Sequence, residues 1–218
     1  MRQEMKPKKQ NYFFIVTAVV VLLLFVVAGS VGLRNALQKK AERERPQKLQ
    51  SAETPEWITK DIIDIHDAAR TGTKLSAIHN IVIHYVGNPD TTAKQNRDYF
   101  NNPGTEVSAH FVVGLSGEIL QCLPLDEKSA ASNHRNFDTI SIEICHPDET
   151  GKFNDKTYRS LVRLLAFLCE NSGLTSDDII RHYDVTKKAC PLYYVEHPES
   201  FEALKKDVST KIKEDKAK

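Results

Sequence analysis

The sequence predicts a single α/β (mixed α+β) domain, a central mixed β-sheet flanked by helices, preceded by an N-terminal transmembrane helix. Three observations predict it. Short β-branched runs interleave with longer segments of helical period. The run "DTISIEICHP" (residues 138–147) alternates with period two. A charge-free stretch, "YFFIVTAVVVLLLFVVAGSVGL", fills Tyr12–Leu33.

That stretch is long enough to cross a hydrocarbon core of roughly 30 Å at about 1.5 Å per residue. A cleaved signal peptide is the rival reading, with "VVAGS" as its cleavage site, but the apolar run exceeds the usual length of about 7–15 residues. An uncleaved anchor over 12–33 is therefore expected, after a short cytoplasmic segment, 1–11. Lys and Arg flank the run on both sides, so the positive-inside rule does not orient it. Residues 34–55 are charged and poor in apolar side chains. They read as a solvated helical stalk that breaks near Pro46 and continues as a linker.

In the domain itself, "IHNIVIHYV" (78–86) is a core strand with His84 near its exit. "TTAKQNRDYFNN" (91–102) has a Thr cap and stops before Pro103-Gly104, which reads as a helix. "SAHFVVGLSGEILQCLP" (108–124) gives two strands joined at Ser116-Gly117. In 138–147, Ile140, Ile142 and Ile144 share one face, and Glu143 lies on the other with Ser141 and Cys145. A helix from Asp155 to about Asn171 carries the stripe Leu161, Leu164, Leu165 and Leu168 and ends at Gly173. "DDIIRHYDV" supplies a short strand with His182 at its exit, and an amphipathic helix covers about 198–213. The charged tail 211–218 closes the chain.

A net charge of +1 with no basic stripe gives no sign of nucleic-acid binding. Four cysteines are few for a disulfide scaffold. Cys122 and Cys145 sit in strand-like runs, where a cross-strand disulfide and two buried thiols are both open readings. Cys169 on an apolar helix face is expected to be a buried thiol.

The chemistry-bearing residues cluster at strand exits and loops. His84, His182 and Cys190 make a His-His-Cys set, the kind of three-ligand site that leaves a fourth position of zinc open to water. Spacing alone also allows ordinary buried histidines and a chance cysteine. Glu143 suits a general base and Lys188, two residues before Cys190, suits an oxyanion partner; an exposed strand glutamate and a solvated lysine are the plain alternatives.

"IVIHYVGNP", "SAHFVVGLSGEILQCLPLDE", "TISIEICHP" and "RHYDVTKKACP" resemble, in that order, the motifs of the zinc-dependent N-acetylmuramoyl-L-alanine amidases of the type-2 family, which also includes peptidoglycan recognition proteins. The resemblance covers Ile78–Pro191 and makes 56–210 the catalytic domain. It implies one zinc ion held by His84, His182 and Cys190, with Glu143 as general base and Lys188 stabilising the oxyanion. His134 in "SNHRN" is similar to a substrate-contacting histidine, although the neighbouring tryptophan and glycine of that pattern are absent. Ala109 stands where animal and some phage members carry a tyrosine, which matches the Bacillus-like branch. The implied activity is hydrolysis of the amide between N-acetylmuramic acid and L-alanine in peptidoglycan. A non-catalytic peptidoglycan-binding module and a zinc peptidase acting on the stem peptide are the alternatives. The implied setting is a monomer anchored in the cell membrane by one span, its catalytic domain facing the cell wall.

Overall fold

The computed structural model describes the backbone of residues 9–217, and side chains from residue 19 onward except 21, 25 and 26. The first eight residues of the expected cytoplasmic segment lie outside the described residues. The chain divides into two compact units, Met1–Ala41 and Glu42–Lys218.

The first helix, α1 (Lys9–Ser51), includes the apolar run. The expected transmembrane anchor, and the single-pass membrane location drawn from it, must be corrected: among the described residues, no helix is long and apolar enough to cross a membrane. The helix does not stop where the apolar run stops. From Arg34 it carries Lys39, Lys40, Arg43 and Arg45, and the described apolar positions before them do not fill a spanning window.

Nor does the helix break at Pro46, which lies inside it. In the second unit, the last turns of α1 are packed where a solvated spacer was expected. Leu49 is 1% exposed and belongs to the main core. Arg45 Nη1 donates to the Ile78 carbonyl at 2.9 Å, and Gln50 Oε1 accepts from the Leu125 backbone N–H. Backbone groups at strand ends need such partners when buried.

The sheet comprises β1 (Ile58–Lys60), β2 (Asn80–Ile83), β3 (Phe111–Val113), β4 (Ile119–Gln121), β5 (Thr139–Ile144) and β6 (Ile179–Arg181). Their order among the described residues is β1-β4-β3-β5-β2-β6. Among the six described strands β3 and β4 pair antiparallel, across the expected hairpin, and the other strand pairs are parallel, so the sheet is mixed. Gly117 takes φ +90° in that turn, a conformation open to glycine at no steric cost.

Between strands come α2 (Ala93–Phe100), closed by a Thr92–Gln95 capping box, and α3 (Asp155–Ser172), capped by Asn154 and ended by Gly173 at φ 73°. Two short helices, α4 (His182–Thr186) and α5 (Leu192–Glu196), follow β6, and α6 (Pro198–Lys216) ends the described chain with proline at its start.

The period-two alternation of the strands builds two distinct faces. Ile81, Ile83, Phe111, Val113, Ile140, Ile142 and Ile144 point to α3 and α6, against the Leu161–Leu168 stripe and Phe201, Leu204 and Val208. The other face packs Val112, Leu120, Cys122 and Cys145 against Ala93 and Phe100 of α2. Cys122 and Cys145 are both free buried thiols on that second face, which settles the open alternative, and Cys169 is likewise a buried thiol.

Candidate metal centre

His84 is the first residue past β2, and its N–H continues the ladder to the Ile142 carbonyl at 2.9 Å. By alternation it leaves the Ile81/Ile83 face and joins the face that carries Glu143. His182 begins α4 directly after β6, the strand on the far side of β2. Cys190 comes back to the same point through the loop after α4: its carbonyl accepts from the Tyr183 N–H at 2.9 Å. Three separate pieces of chain thus converge at the C-terminal ends of neighbouring parallel strands, where loops gather side chains in open α/β sheets.

One potential ligand atom from each of His84, His182 and Cys190 lies within 4.8 Å of the others, and all three residues are buried. The two imidazole centroids are 4.6 Å apart. His84 Nδ1 lies 3.9 Å from Cys190 Sγ and 3.9 Å from Glu143 Oε1. The opposite nitrogens are occupied elsewhere: His84 Nε2 is 3.4 Å from Ser132 Oγ, and His182 Nε2 is 3.0 Å from Asn133 Oδ1.

The electrostatics suit a cation. Burial, and then the charges of His182 and Lys188, hold His84 well below the usual histidine range. Burial and Lys188 lower His182 too, so both imidazoles are neutral and able to donate a lone pair. The Cys190 thiol is pushed up to about 12 by burial and then by Glu143, with the Tyr85 N–H and Lys188 acting in the other direction. Glu143 is pushed up to about 8 by burial, against the pull of Lys188. Its Oε2 is buried and has no hydrogen-bond partner. An orphaned buried carboxylate oxygen calls for a missing partner. Two neutral imidazoles, a thiol and that oxygen fit a divalent, thiophilic ion with an open position.

These groups line a cleft of about 1010 Å³, together with Tyr85, Tyr99, Glu106 and Val107. Lys188 is exposed on its wall, and its charge reaches His84, Glu143, His182 and Cys190. Five of the six residues singled out in the sequence therefore meet in one place. The sixth does not: His134 is exposed on the 3-10 turn Asn133–Arg135 and is not among the residues lining the cleft. Sequence reasoning missed its two neighbours, Ser132 and Asn133, which touch the histidines. Small polar loop residues carry no periodicity, and the only signal was the "SNHRN" stretch itself.

A family model described as N-acetylmuramoyl-L-alanine amidase matches residues 74–192. The chain is 31% identical over 176 residues to the N-acetylmuramoyl-L-alanine amidase BlyA of Bacillus subtilis (strain 168), covering 71% of this chain and 47% of that protein. It is 29% identical over 170 residues to the N-acetylmuramoyl-L-alanine amidase CwlL of Bacillus licheniformis, covering 70% and 47%. The chain thus spans about half the length of the curated relatives it matches. The solved catalytic domain of XlyA superposes with a TM-score of 0.60 at 27% identity, over 67% of this chain and 97% of that one. PlyL superposes with a TM-score of 0.61 at 20% identity, over 69% and 96%, a likeness of fold. With its four motifs, its mixed sheet and its cleft in agreement, the chain belongs to the N-acetylmuramoyl-L-alanine amidase family, in the type-2, Bacillus-like branch.

Proposed function

We propose that the chain is a zinc-dependent N-acetylmuramoyl-L-alanine amidase that cleaves the amide between N-acetylmuramic acid and L-alanine of peptidoglycan. The observation that carries this reading is the convergence of His84, His182 and Cys190 within 4.8 Å beside the orphaned carboxylate oxygen of Glu143. His84, His182 and Cys190 would hold one zinc ion. When bound, zinc supplies Lewis acidity toward the amide carbonyl and toward a water molecule at its open position.

Glu143 stands 3.9 Å from His84 Nδ1 on the cleft floor, where its carboxylate takes the proton of the attacking water. The same carboxyl then returns that proton to the departing amine of L-alanine. Lys188, charged and exposed on the wall, pairs with the negative charge that develops on the carbonyl oxygen. Tyr99 and Val107 give the cleft exposed apolar surface for the sugar-peptide strand.

The test is product analysis with the full chain and purified peptidoglycan, with and without a zinc chelator. Chelator-sensitive appearance of free N-terminal L-alanine on released stem peptides is expected. New termini at other residues would make it a stem peptidase. Binding without new termini in a zinc-loaded sample would make it a recognition module.

A further inference from the structure

We infer that the loop 131–136 is a positioning device that fixes both histidines with Nδ1 turned toward the metal position. The inference rests on the reading of His84 and His182 as ligands. Consecutive residues of one loop reach the far nitrogens of two side chains that are 98 positions apart in sequence. Ser132 Oγ lies 3.4 Å from His84 Nε2, and Asn133 Oδ1 lies 3.0 Å from His182 Nε2. An amide oxygen only accepts, so His182 must carry its proton on Nε2 to make that bond. Its Nδ1 is then the free lone pair. Ser132 can accept from His84 Nε2–H and leave His84 Nδ1, the nitrogen that faces Cys190 and Glu143, as the second lone pair.

The loop is braced to hold these positions. Ser132 is fully buried and its hydroxyl continues into a chain: 3.0 Å to Ser141 Oγ and a further 3.0 Å to Ser129 Oγ, both also fully buried. Ser132 can therefore accept from His84 while donating onward. Asn136 Oδ1 accepts from the backbone N–H groups of Ala131 and Ser132 at 3.1 and 2.7 Å. Arg135 holds Asp138 through Nε at 2.8 and 3.0 Å, which pins the far end. Asn133 itself sits at φ 53°, in the left-handed region that asparagine tolerates better than most residues. Partners behind metal-binding histidines set ring orientation and tautomer, and their loss costs about 10–100-fold in metal affinity.

The experiment has two arms. In the metal-free full chain, histidine-selective 15N spectra are expected to show both rings as the Nε2–H tautomer; an Nδ1–H tautomer at either ring would overturn the inference without any variant. In chelator-competition titrations, Ser132→Ala, Asn133→Ala and Asn133→Gly are each expected to weaken zinc binding about 10–100-fold, with Ser132→Thr restoring it. Asn133→Gly keeps the left-handed backbone while deleting the amide. Folded variants that bind zinc within twofold of the wild type, or an Asn133→Gly that does so alone, would refute positioning by these side chains. A wild type that binds no zinc would refute the proposed function, and the tautomer arm would still decide the loop's role.

Discussion

On one side of β5, Ile140, Ile142 and Ile144 are fully buried against α3 and α6, where nearly every side chain is hydrocarbon. On the other side Ser141, Glu143 and Cys145 alternate with them, and around that face lie His84, His110, Ser129 and Ser132, almost all buried. One strand thus divides the unit into a nearly all-apolar half and a half where a smaller apolar cluster is interspersed with polar groups held out of water. Burying polar atoms without partners destabilises a fold, so the second half is tolerated only where hydrogen bonds, or a ligand, complete it. Among Ser141, Glu143 and Cys145, Glu143 Oε2 is buried without a hydrogen-bond partner. The contrast teaches where to look for chemistry: at the strand face that buries polar side chains among apolar ones.

The comparison is tested hardest at Glu143. Glu143→Gln removes the half-buried acid without changing its volume, so stability is expected to hold or rise slightly. Turnover should fall about 10²–10⁴-fold, the usual contribution of a general base. A variant that keeps wild-type turnover would remove the base from the account.

The packed face should answer in the opposite way. Leu164→Ala, in the α3 stripe at 0% exposure, should cost about 2–5 kcal/mol in denaturant unfolding. Zinc affinity of the fraction that remains folded should not change. A loss of zinc affinity with little loss of stability would mean that the two faces are not separate.

A smaller effect is expected from pH, again on the polar face alone. His110 is fully buried and held neutral: its Nε2 donates to the Glu127 carbonyl at 2.8 Å and its Nδ1 accepts from the Ser141 N–H at 3.0 Å. Burial lowers its pKa to about 4, against an ordinary value of 6.5. The folded state therefore resists a proton that the unfolded chain accepts. Its contribution is complete above pH 6.5 and is lost as pH falls through about 4, amounting to about 3 kcal/mol. The ring resonances of His110 should stay those of a neutral imidazole down to that range. Titration near 6.5 in the folded protein would contradict the assignment.

What could be read in advance follows from which signals are periodic. The alternation of 138–147 put Glu143 opposite the isoleucines, and the four-leucine stripe with Gly173 gave α3 almost to the residue. His84, His182 and Cys190 were each ambiguous by spacing, and only the ordered motifs joined them. The last turns of α1 were not legible because a single leucine, Leu49, and the polar ends of Arg45 and Gln50 make the contact. A charged segment with one buried leucine has the composition of a spacer. β1, three residues at the sheet edge paired to β4, is too short to show any period. Ser132 and Asn133 escaped notice for the related reason that a hydrogen bond to a distant imidazole leaves no pattern along the chain.

X-ray absorption at the zinc edge of the zinc-loaded full chain tests the centre of this account most directly. One sulfur scatterer at about 2.3 Å, two imidazole nitrogens at about 2.0–2.1 Å and one further light atom are predicted. A first shell without sulfur, or one closed by a second sulfur, would contradict the assignment of His84, His182 and Cys190 as a three-ligand, open metal site.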